Sequence, residues 1–314
     1  MENLINRPGI VVICGPTGIG KTALAICLAE AFGGEIIGAD SMQVYRYMDI
    51  GTAKPSLAEL GRVRHHMIGV IDPASPYDAA KYSRDAGSII MSLGSQHRAP
   101  FVVGGTGLYI KALIHGLFEA GASDPELRRE LKHTAETRGR DWLYQRLVSK
   151  DPDAAGRIHP NDTYRIIRAL EIYELTGRSM SESQKSHGFG ENRFETLKIC
   201  LVIDRKELYD RINRRVEIMI EQGLEDEVRG LLAMGYSRNL RPMQSIGYRH
   251  MMDYIDGNMT LDETISTLKR DTRRYAKRQF TWFKKDPEMI WQTPDGPDEI
   301  SQRVKAFLEL RPCT

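Results

Sequence analysis

At 314 residues the chain is long enough for one large domain or two modest ones, with a sizeable core. Hydrophobic residues at 41% and charged residues at 27% are those of a soluble globular protein, and the longest apolar runs fall far short of a membrane span. A formal net charge of +2 means that any nucleic-acid surface must come from local clustering of the 44 Lys and Arg.

Cys14, Cys27, Cys200 and Cys313 are scattered without metal-ligand spacing and read as small buried hydrophobes, with no disulfide or zinc site expected. With no basic-then-apolar leader in the sequence, a cytoplasmic location is the default.

Residues 10 to 14 form a β-branched, uncharged run expected of a strand buried on both faces of a parallel sheet. Gly15-Pro16-Thr17-Gly18-Ile19-Gly20-Lys21-Thr22 follows, fitting the phosphate-binding pattern of Gly, four residues, then Gly-Lys-Thr. Glycines let the backbone turn its N–H groups toward phosphate oxygens, Lys21 adds a point charge, and the Thr22 hydroxyl can ligate Mg²⁺. Ala23 to Phe32 reads as a helix whose N-terminal dipole faces the anion.

A second short strand over Gly34 to Ala39 ends at Asp40-Ser41-Met42-Gln43, which an open parallel sheet puts on the same carboxyl edge as the phosphate loop. Asp40 or Ser41 capping the next turn is the plainer alternative. Residues 48 to 78 are turn-rich, and the pair His65-His66, lacking a third ligand, reads as packing or hydrogen bonding. Tyr77 to Ser92 is expected to be a helix and Pro100 to Val103 a third buried strand, with Gly104-Gly105-Thr106-Gly107 again on that edge.

From about Phe118 the texture turns helical and polar. Ser123-Asp124-Pro125 starts a helix to Thr137, and Asn161-Asp162 precedes another over Tyr164 to Thr176, closed by Gly177. Arg165 and Arg168 share a face there, which spacing alone assigns to solvent. Gly177 to Asn192 reads as a mobile connection.

Thr196 to Ile203 resumes strand character and ends at Asp204, a rival metal-associated carboxylate of the Walker B kind. The helix from Glu207 carries Arg211, Arg214 and Arg215, which can reach phosphates if its N-terminal end lies at the sheet edge. Leu261 to Asp286 reads as a helix with Arg270, Arg274, Lys277 and Arg278 on one face and Tyr275, Phe280, Trp282 and Phe283 interleaved. That texture suits nucleic acid, and equally a helix with a charged outer face and an aromatic core face.

Together these segments resemble the tRNA dimethylallyltransferase (tRNA isopentenyltransferase) family. The residues that carry the resemblance are the phosphate loop at 15 to 22, Asp-Ser-Met-Gln-Val-Tyr at 40 to 45 and Met-Asp-Ile-Gly-Thr-Ala-Lys-Pro at 48 to 55. Gly-Gly-Thr-Gly-Leu-Tyr at 104 to 109, Arg-Ile-His-Pro-Asn-Asp at 157 to 162, Gln-Ser-Ile-Gly-Tyr-Arg at 244 to 249 and Tyr-Ala-Lys-Arg-Gln-Phe-Thr-Trp-Phe at 275 to 283 continue it in order. Gly69 stands where the family usually has Asp, and Lys284 where Arg is common. The sequence ends without the zinc-finger extension of some eukaryotic members, as in the bacterial form.

The resemblance implies a P-loop NTPase-like α/β fold, a parallel sheet flanked by helices with a mostly helical insertion. Residues 1–117 and 198–314 would form the catalytic core and 118–197 an insertion contacting tRNA. It implies transfer of a dimethylallyl group from dimethylallyl diphosphate to N6 of adenine 37 in tRNAs reading codons that begin with U, with Mg²⁺ and a monomeric enzyme. Asp40, Thr106 and Arg215 are the implied catalytic residues. Implied tRNA contacts are Asp40, Ser41, Met42, Gln43, Thr106 and Arg128, then Tyr164, Arg165, Ile166, Ile167 and Arg168, then Gln244, Ser245, Ile246, Gly247, Tyr248 and Arg249. The last segment is Lys277, Arg278, Gln279, Phe280, Thr281, Trp282, Phe283 and Lys284. The rival readings are a small-molecule or nucleoside kinase with Asp204 on Mg²⁺, and an RNA-binding switch that senses a nucleotide without acting on the RNA.

Overall fold

A computed structural model describes residues 7–117, 124–188 and 192–310 of the chain. Phe118 to Ser123, where the insertion was expected to open, and Cys313 lie outside the described residues. The chain divides into two compact units, one of residues 1–114 with 193–314 and the other of residues 115–192.

In the larger unit, six strands form one all-parallel sheet in the order β3-β2-β4-β1-β5-β6. Strand β1 (Gly9–Cys14) is wholly buried and leads through the phosphate loop into α1 (Lys21–Ala31). Then come β2 (Glu35–Gly38), α2 (Leu57–Arg62), β3 (His65–His66), α3 (Ala79–Ser95), β4 (Pro100–Gly104) and α4 (Gly107–His115). Helix α2, inside the stretch read only as turns, starts at a reciprocal capping box between Ser56 and Glu59.

The two adjacent histidines hydrogen-bond as expected, His66 to Glu35 at 2.6 Å and His65 to the Val63 carbonyl at 2.8 Å. Cys14 and Cys200 are buried opposite each other in β1 and its neighbour, whereas Cys27 is exposed, contrary to expectation. It lies on the outer stripe of α1 with Ala23 and Glu30, while Leu24, Ala25, Ile26 and Leu28 face the core.

The smaller unit is helical: α5 (Pro125–Thr137), α6 (Arg140–Lys150), α7 (Pro152–Ala155), α8 (Thr163–Thr176) and α9 (Met180–His187). Its core gathers Leu131, Leu143, Leu147, Ile166 and Leu170. Gly177 closes α8 in the left-handed conformation. The connection expected after it is instead helical, because Ser179 and Glu182 form a second capping box that nucleates α9.

The chain returns to the sheet at β5 (Glu195–Leu201), so Glu195 to Leu197, expected in the insertion, belong to a central strand beside β1. Helices α10 (Arg205–Glu221), α11 (Leu224–Ala233), α12 (Tyr248–Ile255) and α13 (Leu261–Phe283) follow, then β6 (Ile290–Gln292) and α14 (Pro297–Leu310). Because β1 sits between β4 and β5, three strand-to-helix junctions converge at one carboxyl edge: the phosphate loop, the Gly104 to Gly107 turn, and Val202 to Asp204. No helix among the described residues is long and apolar enough to cross a membrane.

Candidate active site

The phosphate loop owes its shape to glycine. Gly15, Gly18 and Gly20 have φ of 139°, 84° and 100°, and a Cβ on Gly15 would meet the Leu201 carbonyl at 3.1 Å. Lys21 folds back over the loop, its Nζ donating to the carbonyls of Gly15 (3.0 Å) and Pro16 (2.9 Å). Burial pushes its pKa down to about 8, partly offset by the charge of Asp40 and reinforced by Arg215. Thr22 follows in the first turn of α1, half-buried.

Helix α10 supplies two cations to the loop. Arg215 Nη1 lies 3.3 Å from Thr17 Oγ1, and Arg211 Nη1 donates to the Ile19 carbonyl at 3.5 Å. Burial holds the Arg215 pKa below its usual value. Arg214, beside them on the helix, is exposed. Asp204 caps α10, its Oδ1 accepting the amides of Lys206 (2.8 Å) and Glu207 (3.2 Å). The rival carboxylate is therefore a helix cap facing solvent.

Asp40 closes a tight turn after β2. Its Oδ1 accepts the amides of Met42 (2.8 Å) and Gln43 (3.3 Å), so the plain capping role is present and also fixes the carboxylate's orientation. Thr106 joins this turn to the one after β4: its N–H donates to the Ala39 carbonyl at 3.1 Å, and its hydroxyl accepts the Ser41 amide at 3.0 Å. Gly104 has no room for a Cβ, which would fall on the Ala39 backbone. The Tyr275 hydroxyl of α13 has its pKa raised by burial and by the nearby Asp40 charge.

The other expected site residues fall into distinct environments. Both Nε2 hydrogens of Gln43 are spent on the carbonyls of Thr52 (3.1 Å) and Ala53 (2.9 Å). Met42 and Ser41 are half-buried in the Asp40 turn. Ile166, Tyr248 and Phe283 are core side chains, and Ile167 packs against the same core as Ile166. Tyr164 and Arg165 are exposed, with Arg165 paired to Asp162. Arg128 and Arg168 both bind the wholly buried Glu171. Gln244 is exposed and tied to the Arg238 carbonyl, Ser245 and Ile246 are half-buried, Gly247 turns at φ 96°, and Arg249 pairs with Asp271 at 2.8 Å.

On α13 the charged outer face is present: Arg270, Arg274, Lys277 and Arg278 are exposed. Lys284 lies over the Phe280 ring, which packs on Trp291, and Thr281 bonds the Lys277 carbonyl. Trp282 remains 42% exposed, with its ring occupying the place a Cβ on Gly107 would take.

One participant escaped the sequence, and another, Tyr275, reads there only as an aromatic interleaved on a basic helix. Glu227 of α11 accepts the amides of Asp49, Ile50 and Gly51 at 2.7 to 3.0 Å and the Tyr248 hydroxyl, clamping the 49–54 loop that braces Gln43. Its partners are far off in sequence, so no local signal marks it. Tyr275 stands four residues before Gln279 and seven before Trp282, a stripe that spacing alone could have grouped.

The family model of IPP transferase matches residues 43–286, and that of isopentenyl transferase residues 8–71. This chain belongs to the tRNA dimethylallyltransferase family. It is 54% identical to the tRNA dimethylallyltransferase of Desulfosudis oleivorans over 96% of both chains. It is 51% identical to that of Desulfatibacillum aliphaticivorans over 97% of this chain and 99% of the other. The crystal structure of the full-length tRNA isopentenylpyrophosphate transferase from Bacillus halodurans is 42% identical with a TM-score of 0.72, covering 97% of this chain and 98% of that one. A eukaryotic dimethylallyltransferase captured acting on tRNA is 31% identical with a TM-score of 0.80, over 97% of this chain and 80% of the other. The α/β fold and the prenyltransferase class are thus those expected, and a tRNA dimethylallyltransferase with a P-loop NTPase-like sheet accounts for the phosphate loop and the acidic turn together.

Proposed function

We propose that this dimethylallyltransferase moves its group from dimethylallyl diphosphate to the exocyclic N6 of adenine 37, in tRNAs that read codons beginning with U, and releases diphosphate. The observation that carries the reading is the shared sheet edge: the phosphate loop after β1, with Lys21 folded over it, and the carboxylate of Asp40 after β2, oriented by the Met42 amide and held through Ser41 by Thr106 after β4.

Adenine N6 is a poor nucleophile while its lone pair is delocalised into the ring. Asp40 is the base that takes its proton as the new carbon–nitrogen bond forms, and a positioned base contributes roughly 10² to 10⁴ in rate. Thr106, one hydrogen bond from Ser41, positions the amine or the bridging oxygen. As the allylic carbon–oxygen bond breaks, Lys21 leaves the Gly15 and Pro16 carbonyls for the diphosphate, and Arg215 with the loop N–H groups stabilises its growing charge. The target base is flipped out of the anticodon loop into the site. Arg128, Arg165, Arg168, Arg249, Lys277 and Arg278 contact the tRNA backbone.

A magnesium ion fits beside Thr22. Thr22 offers one hydroxyl in the first turn of α1, next to the phosphate loop, and magnesium takes one or two protein oxygens with phosphate and water supplying the rest. When bound, it would add Lewis-acid neutralisation of the leaving group. The enzyme works as a monomer in the cytoplasm.

The test is diphosphate release with dimethylallyl diphosphate, Mg²⁺ and an anticodon stem-loop. Release in strict proportion to RNA supplied supports the transfer; release without RNA, or none at all, contradicts it. The kinase reading is disfavoured by the likeness to tRNA dimethylallyltransferases over nearly the whole chain; capping does not separate the two carboxylates, since Asp40 accepts two amides of its own turn just as Asp204 does.

A further inference from the structure

Gln279 was grouped with the tRNA contacts, yet its side chain is buried, 5% exposed, and points at the sheet edge. Its Oε1 accepts the Thr17 amide at 2.9 Å, and its Nε2 donates to the Gly105 carbonyl at 2.9 Å. The partners fix the orientation of the carboxamide, since an amide N–H can only donate and a carbonyl can only accept. Thr17 lies in the loop after β1, and Gly105 in the turn after β4, the neighbouring strand. A Cβ on Gly105 would fall on Nε2, so that position is glycine where the carboxamide enters.

The two bonded groups sit on opposite halves of the reaction. Thr17 is the loop residue whose hydroxyl meets Arg215. Gly105 precedes Thr106, whose hydroxyl holds the Asp40 turn through Ser41. One carboxamide therefore spans from the segment that cradles the leaving group to the segment that presents the acceptor. We propose that Gln279 is a positioning residue for the transfer, setting the separation between diphosphate loop and acceptor turn; this rests on the reaction proposed above. Reach and chemistry select glutamine: glutamate offers no donor to the Gly105 carbonyl at neutral pH, methionine offers neither group, and asparagine is one methylene short. Displacement of reacting groups by about 1 Å costs roughly 10²-fold in rate, the scale on which a lost brace is felt.

The experiment compares wild type, Gln279→Met and Gln279→Glu in single-turnover transfer to an anticodon stem-loop. Inorganic diphosphate binding by calorimetry, KM for the stem-loop and melting temperature are measured alongside. Gln279→Met is expected to lose about 10²-fold in the transfer step while its KM and diphosphate affinity stay within about threefold. Gln279→Glu is expected to lose the rate and, in addition, to bind diphosphate more weakly, because it sets a carboxylate beside Thr17. Gly105→Ala, which evicts the carboxamide, should match Gln279→Ala, with the double variant no worse than either. A Gln279→Met rate within twofold of wild type overturns the proposal, as does a rate loss matched by an equal loss of diphosphate affinity. A wild type that transfers nothing overturns instead the reaction on which the proposal rests.

Discussion

Arg215 and Thr17 meet across the phosphate loop, guanidinium to hydroxyl at 3.3 Å, with Arg215 desolvated against the loop. A desolvated cation is costly unless something negative arrives to pair with it, and in the transfer proposed above the leaving diphosphate would be that partner. Arg215→Ala should lower the transfer rate by about 10² to 10³-fold with stem-loop affinity intact, read by single-turnover kinetics and filter binding.

Asp40 and Asp204 make opposite predictions. Asn at 40 still accepts the Met42 and Gln43 amides, so the turn should survive while the base is lost, with turnover falling about 10² to 10⁴-fold. Asn at 204 caps a helix as well as Asp does, so α10 and activity should be nearly unchanged. Melting curves and turnover on the same preparations separate the two.

The sequence exposed what is local. The strand, phosphate loop and helix at residues 9 to 31 follow from β-branched content and glycine spacing, and Gly177 announced its own left-handed cap. What it hid depends on tertiary closure. Strand β6 is three half-buried residues that become a strand only by pairing with β5. Gln279 reads as one polar position on a basic helix until the turn of α13 aims it inward, and Glu227 acts on amides remote in sequence. The basic face of α13 was legible by period, but Phe283 and Gln279 show how much of the same helix belongs to the core.

Glu227 satisfies three consecutive amides and one hydroxyl. Glu227→Ala strands those donors and should cost about 3 kcal/mol of stability, seen as a lower urea midpoint. Glu227→Gln, which keeps an acceptor, should lose less.

Glu171 contributes to the pH dependence of the helical unit, beside Asp153 and Glu182, whose carboxyls are likewise held below their usual values by Lys185 and by Ser179. Burial raises the Glu171 pKa, but hydrogen bonds from Arg168, Arg128 and the Asp124 amide outweigh that and leave it below the usual glutamate value. A depressed carboxylate stabilises fully above its unfolded value of about 4.3, and that stabilisation is lost as pH falls through the lower folded value. Wild type should therefore lose stability on acidification below about pH 4 more steeply than Glu171→Gln, by melting temperature at pH 7 and pH 3.5.

Lys277 and Arg278 are exposed on α13. Replacing both with Gln should weaken stem-loop binding and lower the salt slope by about one per charge removed, leaving diphosphate affinity unchanged. An unaltered slope would return that face to ordinary solvated charge.

The most direct measurement is mass spectrometry of an anticodon stem-loop bearing adenine at position 37, after incubation with the chain, Mg²⁺ and dimethylallyl diphosphate. A gain of one C₅H₈ unit located on that adenine is expected, absent when it is replaced by guanine. An unmodified RNA, or the same gain on a different base, would contradict the proposed transfer.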